Sequence, residues 1–235
     1  AGARATQESR ARGGFDPAQM RAAIAGAMAR SKREIPHYYL THAVDLQAAT
    51  DWLAARNAGR PPPERLLMGA LLVKAGALAA AEAPALNGHY EEGYRPADTV
   101  HAGLAVALRG GGLVAPAIMD AQARGLDGIM AAMRDLVMRA RAGRLKASEM
   151  TAGTITVSSL GEAGVDGMLG VITPPQVAIL AYGSPRARPV VRDGAIVART
   201  VVDVSLAADH RASDGRLGAR FLARLDTLLQ DPERL

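Results

Sequence analysis

Asp193-Gly194 lies between two short runs of strand-forming residues, 189–192 and 195–207. An Asp-Gly pair in that setting predicts a two-residue hairpin, because its turn needs positive φ at both central positions. A hairpin joins antiparallel strands, so the sheet that contains it is not the all-parallel sheet of a doubly wound fold. Apolar residues at helical spacing predict helices over 16–33, 46–57, 64–83 and 121–141, with Asp16-Pro17 as cap and first position and Arg60-Pro61-Pro62-Pro63 as a rigid connector. Ser213 or Asp214 is expected to cap a closing helix that runs to Leu229. Strand patterns fall at 37–46, 99–108, 113–119, 154–160 and 176–182, with Arg109-Gly110-Gly111-Gly112 as a turn between two of them. Helices and strands intermixed in this way predict an α/β sandwich with a mixed sheet.

A chain of 235 residues suffices for one substantial domain. Residues 1–15 are polar, Ala- and Arg-rich and aperiodic, which reads as a flexible leader or linker remnant, and the domain is expected over 16–235. No apolar run reaches the roughly 18 residues of a membrane span, and the N-terminus lacks a secretory layout, so a cytoplasmic location and no membrane partner are expected. The chain has no cysteine, which removes disulfides, thiolate catalysis and cysteine-ligated zinc together. Its net charge of +5 lies largely in the first 12 residues and in Arg139, Arg141, Arg144 and Lys146, without interleaved aromatics or a DNA-binding motif, and no nucleic-acid partner is expected. His37, His42, His89 and His101 show no ligand spacing, so no metal is expected. Met130, Met133 and Met138 stand at core spacing, and Arg56 and Lys74 fit equally a solvated helix face or contact with the phosphates of a ligand.

The segment Asp209-His210-Arg211-Ala212-Ser213-Asp214-Gly215 carries the chemistry. His210 directly follows a strand ending in small residues and directly precedes a helix with an acidic cap, a junction that exposes a side chain. Histidine suits a proton acceptor near neutral pH provided a neighbour fixes its ring. Asp214, four residues on, supplies a carboxylate to that loop.

His-x-x-x-Asp-Gly resembles the signature of the chloramphenicol acetyltransferase-like fold. The chain also contains, in order, Ile35-Pro36-His37, Lys74-Ala75, Pro84-Ala85-Leu86-Asn87, Gly112-Leu113-Val114-Ala115-Pro116, Gly153 to Gly161, Thr173 to Leu180, and Ala208-Asp209-His210-Arg211. This ordered set, spanning nearly everything from residue 17 onward, resembles the catalytic domain of the dihydrolipoamide acyltransferases of 2-oxo acid dehydrogenase complexes. Chloramphenicol acetyltransferase and the condensation domains usually carry His-His where this chain has Asp209-His210.

The resemblance implies a two-layer sandwich with a mixed sheet and packed helices. It implies transfer of an acetyl or branched-chain acyl group from S-acyl-dihydrolipoamide to coenzyme A. His210 would be the general base on the coenzyme A thiol, Ser158 the oxyanion donor meeting the thioester, and Asp214 the orienting carboxylate, through a salt bridge that holds the loop. Both thiols would belong to substrates, which fits a chain without cysteine. It further implies a homotrimer with His210 meeting Ser158 across two chains, assembly into a hollow core, with residues 231–235 either an inter-trimer contact or a frayed end, and partnership with a lipoyl domain and with the 2-oxo acid decarboxylase and dihydrolipoamide dehydrogenase components. The chain departs from the pattern at Ser159, where the family usually has asparagine, and at Ala212-Ser213, where it usually has two aliphatic residues. Succinyl-transferring members usually carry threonine at the position of Ser158. With no lipoyl domain ahead of Asp16, the chain is expected to be a catalytic fragment. The alternatives are a free-standing O-acetyltransferase of the chloramphenicol acetyltransferase type and a catalytically silent core-forming subunit.

Overall fold

The computed structural model describes residues 17–108, 112–161 and 163–235. The leader read over 1–15, the Asp16 cap and most of the Arg109–Gly112 turn lie outside the described residues. In chain order the elements are α1 (Pro17–Glu34), β1 (His37–Asp45), α2 (Gln47–Asn57), α3 (Met68–Ala81), β2 (Gly88–Tyr90), β3 (Tyr94–Pro96), β4 (Ala102–Leu104), β5 (Val106–Ala107), β6 (Leu113–Val114), β7 (Ala117–Ile118), α4 (Leu126–Arg141), α5 (Ala147–Thr151), β8 (Ile155–Ser159), β9 (Ala178–Tyr182), β10 (Arg186–Arg192), β11 (Ala195–Asp209) and α6 (Gly215–Gln230).

Helix α3 starts later than its apolar run, because Pro62–Glu64 wind a single 3-10 turn and Leu67 is extended. Each of the strands expected over 99–108 and 113–119 is broken in two: β4 and β7 pair in the main sheet, while β5 and β6 form a small hairpin. Proline 116, which has no N–H to donate, stands at the break between β6 and β7. Asp120 at positive φ and a 3-10 turn at Ala121–Ala123 delay α4 to Leu126.

Among the described residues the main sheet has seven strands, ordered β1-β11-β9-β8-β4-β7, with β10 pairing the first half of β11. The β1/β11, β11/β9, β10/β11 and β4/β7 pairs are antiparallel, and β8 runs parallel to both β9 and β4. The sheet is mixed, and Asp193 and Gly194 turn the β10–β11 hairpin at φ 52° and 79°.

Alternation along the strands separates two faces. Val202, Val204, Leu206 and Ala208 of β11, Leu180 and Tyr182 of β9, and Ile155 and Val157 of β8 point into one core shared with α3, α4 and α6. Each fully buried aliphatic side chain there contributes about 1.5–3 kcal/mol. Helix α3 is apolar nearly all round and sits in the middle of this layer, which is why its Lys74 is buried: Nζ donates to the Gln122 carbonyl at 2.7 Å, and desolvation lowers its pKa. Of the two readings open for Lys74, its burial rules out a solvated helix face. Helix α6 comes close enough to β1 that a Cβ at Gly218 would meet Leu40 at 2.8 Å.

The other face is covered only in part. Tyr39, Thr41 and Ala43 of β1 are exposed beside Ala207, Ser205 and Asp203 of β11. The segment after β8 crosses this face so tightly that a Cβ at Gly183 would overlap the Asp166 carbonyl. Met130 is buried as expected, but Met138 is 57% exposed. The C-terminal residues dock on their own chain, with Pro232 buried and Trp52 Nε1 donating to Glu233 at 2.7 Å. Among the described residues no helix is long and apolar enough to cross a membrane.

Candidate active site

Strand β11 ends in a turn fixed from several directions. Asp209 N donates to the Val177 carbonyl at 2.9 Å and His210 N to the Pro36 carbonyl at 3.0 Å, so the turn is stitched to the segments on both sides. The Asp209 carboxylate is fully buried and accepts four hydrogen bonds from Arg211: the backbone N–H at 2.9 Å, Nε at 3.0 and 3.2 Å, and Nη2 at 2.7 Å. These bonds raise the Arg211 pKa, its largest cause being the Asp209 carboxylate. The guanidinium in turn lies 3.9 Å over the Tyr90 ring, a cation–π contact.

That clamp leaves His210 on the outside. Its side chain is exposed, and its ring meets the edge of Tyr38 at 5.2 Å, with planes 66° apart. Tyr38 is held by a 2.9 Å hydrogen bond between its hydroxyl and Ser213 Oγ, and burial, the largest cause, raises its pKa. The imidazole is thus braced against Tyr38 and lines a surface depression together with Arg211, Ser213, Asp214 and Arg220.

Of the two residues expected to cap the closing helix, Asp214 does so. Its Oδ1 accepts from Leu217 N at 2.8 Å and caps α6. Among the described residues it forms no salt bridge; the ion pair that holds this turn is Asp209–Arg211. Neither member of that pair was singled out by the sequence for this role, and only the adjacency of an acid and a base two residues apart could have hinted at it. His37 anchors the same region: Nδ1–H donates to the Ile35 carbonyl at 2.9 Å and Nε2 accepts from Ile172 N at 3.1 Å.

Ser158 lies elsewhere. It is buried, 8% exposed, on the partly covered face of β8, in a cross-strand row with Ala181, Ser205 and Thr41. Among the described residues its hydroxyl meets only the Met168 sulfur, at 3.9 Å. Met168 also accepts the Ser205 hydroxyl at its backbone carbonyl, and with Thr41, Ala43, Leu169 and Asp203 it lines a cavity of about 490 Å³ on this face. His210 stands five residues beyond Ser205 along β11, and β8 is two strands away. At strand spacings that separates the two side chains by roughly 17 Å along the sheet and roughly 10 Å across it. The structure does not bring them together within one chain.

Residues 16–235 match the family model for the 2-oxoacid dehydrogenases acyltransferase (catalytic domain). The chain belongs to this acyltransferase family. It is 35% identical over 222 residues to the dihydrolipoyllysine-residue acetyltransferase component of the pyruvate dehydrogenase complex of Rhizobium meliloti, covering 91% of this chain and 49% of that protein. The chain therefore spans about half the length of the curated relatives it matches. The Azotobacter vinelandii dihydrolipoamide acetyltransferase structure superposes with a TM-score of 0.86 at 29% identity, covering 92% of this chain and 90% of that one; it comes from an investigation of the role of one serine, one histidine and one asparagine in its catalytic mechanism. Chloramphenicol acetyltransferase superposes with a TM-score of 0.54 at 15% identity over 87% of this chain and 94% of its own, which establishes the shared fold.

Proposed function

We propose that this catalytic domain transfers an acetyl group from S-acetyl-dihydrolipoamide to coenzyme A, with His210 and Ser158 supplied to one site by two copies of the chain. The observation that carries the reading is a spacing. The serine, histidine and asparagine investigated in the Azotobacter enzyme stand at the same separations as Ser158, His210 and Asp214 here. Aspartate in place of asparagine keeps the capping function, because both residues are strong helix N-caps. Acetyl is the acyl group named for the curated relatives.

The chemistry follows from the two environments. An exposed imidazole takes the proton of the coenzyme A thiol, and the thiolate attacks the thioester carbonyl of the acetylated dihydrolipoyl group. The carbon–sulfur bond to coenzyme A forms, and the carbonyl oxygen becomes an oxyanion that accepts the Ser158 hydroxyl. Collapse breaks the bond to the dihydrolipoyl sulfur, which leaves with the proton that the imidazolium returns. Asp214 is a positioning residue: it caps α6 and so fixes the turn from which His210 projects. Within one chain the base and the oxyanion donor are too far apart for this sequence, and a closed homo-oligomer, a trimer in our reading, joins them. Lipoyl groups would arrive on a lipoyl domain, loaded by a 2-oxo acid decarboxylase and reoxidised by a dihydrolipoamide dehydrogenase, around a hollow core built from such trimers.

Acyl transfer between coenzyme A and dihydrolipoamide, run with acetyl and isobutyryl donors, tests the reaction. Turnover with acetyl that is lost in His210→Ala is expected; a wild type inactive with both donors overturns it. Co-refolding His210→Ala with Ser158→Ala tests the shared site, since random mixing of head-to-tail interfaces should restore about a quarter of wild-type activity. Two variants that remain as inactive together as apart would place the site within one chain.

A further inference from the structure

We propose that Met168 is a site of reversible oxidation through which peroxide silences Ser158; this rests on the reading of Ser158 as the oxyanion donor. Three observations converge on it. The Met168 sulfur is the partner of the Ser158 hydroxyl at 3.9 Å. In the single chain Met168 is partly buried and lines the cavity on the partly covered sheet face. The chain contains no cysteine, so thioethers are its sulfur targets for mild oxidants. A cavity wide enough to admit an acyl thioester would also admit a peroxide.

The resting contact is weak, because a thioether is a poor acceptor, and an incoming carbonyl oxygen readily displaces it from the serine hydroxyl. Oxidation reverses that order. The sulfur gives two electrons to hydrogen peroxide, the O–O bond breaks, one oxygen stays on sulfur as the sulfoxide and the other leaves as water. The sulfoxide oxygen is a strong, polar acceptor bonded to an atom 3.9 Å from Ser158 Oγ. It captures the hydroxyl that would otherwise point at the oxyanion, and it roughens a wall of the cavity. Ser158 itself is unchanged, so a methionine sulfoxide reductase restores the site.

Met138, 57% exposed on α4 and distant in the fold from the Ser158 row, is an internal control. The full chain is treated with dilute hydrogen peroxide, the excess is removed with catalase, and acyl transfer and residue-resolved oxidation by mass spectrometry are followed together. We expect activity to fall about tenfold or more in step with Met168 sulfoxide, a fraction of the loss seen when an oxyanion donor is removed outright. Met168→Leu, which keeps the volume, should hold its own untreated activity while Met138 oxidises, and methionine sulfoxide reductase should restore the wild type. The proposal is overturned if Met168 is oxidised without loss, if Met168→Leu is inactivated like wild type, or if Met168 is protected at peroxide levels that oxidise Met138. Untreated Ser158→Ala separates the two readings. If it is as active as wild type, the assignment of Ser158 fails; if it is slow while the Met168 sulfoxide form is not, only the oxidation proposal fails.

Discussion

Around His210 the chain is fixed by charge and polar contacts: a buried carboxylate, an arginine that grips it four times, and backbone bonds to residues 36 and 177. Around Ser158 it is fixed by the sheet and by apolar burial, and the hydroxyl touches only a thioether. The comparison separates holding from reacting. At the histidine turn the groups that hold (Asp209, Arg211, Tyr38, Asp214) differ from the group proposed to react, and the His210 ring makes no hydrogen bond among the described residues. At the serine the backbone holds, and the side chain is free to change partner.

That division predicts variants that lose activity without losing stability, and the reverse. His210→Ala should lower kcat for acyl transfer about 10³-fold, as for loss of a general base, while the melting temperature stays within about 2 °C, roughly 0.5 kcal/mol; a large drop in melting temperature would mean that the ring also holds the turn. Arg211→Ala should do the opposite. It strands the Asp209 carboxylate, fully buried, and breaking such a pair costs about 3 kcal/mol, read by urea unfolding, with any activity loss following from the loosened turn. Ser158→Ala should lower kcat about 10²-fold with KM for coenzyme A little changed and stability intact. A stability loss there would show that the Met168 contact holds the segment.

Smaller effects sharpen the same contrast. Asp214→Ala should cost about 1 kcal/mol through the lost cap, whereas Asp214→Asn should be nearly neutral in stability; a clear activity loss in Asp214→Asn with an unchanged melting temperature would give the carboxylate a direct role. The smallest effect concerns His37, whose pKa burial lowers from its ordinary 6.5, with the Ile35 carbonyl and Asp209 acting upward and Lys32 downward. The unfolded chain then binds the proton more readily, so the stability from neutral His37 is present above about pH 6.5 and is lost as pH falls below that value. Thermal melts at pH 8 and pH 5.5 should show this loss in wild type and a shallower one in His37→Gln.

Much of the fold was legible because its signals are local. The hairpin at Asp193-Gly194 followed from the turn's demand for positive φ, and the mixed sheet followed from the hairpin. Helices α1, α2 and α6 and strand β1 lie within two residues of their sequence patterns. The misses have a common cause: β2 and β3 are only three residues long and too short for a period, and the breaks at 105 and 115–116 depend on which partner each half-strand finds. The burial of Lys74 was not legible because the sequence carries no record of how many sides of α3 are covered.

The candidate site divides in the same way. The sequence by itself determined that His210 would sit on a strand-to-helix turn with an acidic cap behind it, since strand end, cap and turn residues are all read within a few positions. Only the tertiary structure decided that Asp209 rather than Asp214 forms the holding ion pair, that a thioether meets Ser158, and that serine and histidine are set roughly 20 Å apart on one sheet. Those facts depend on strand order and on burial, and both are settled by which distant segments pack together.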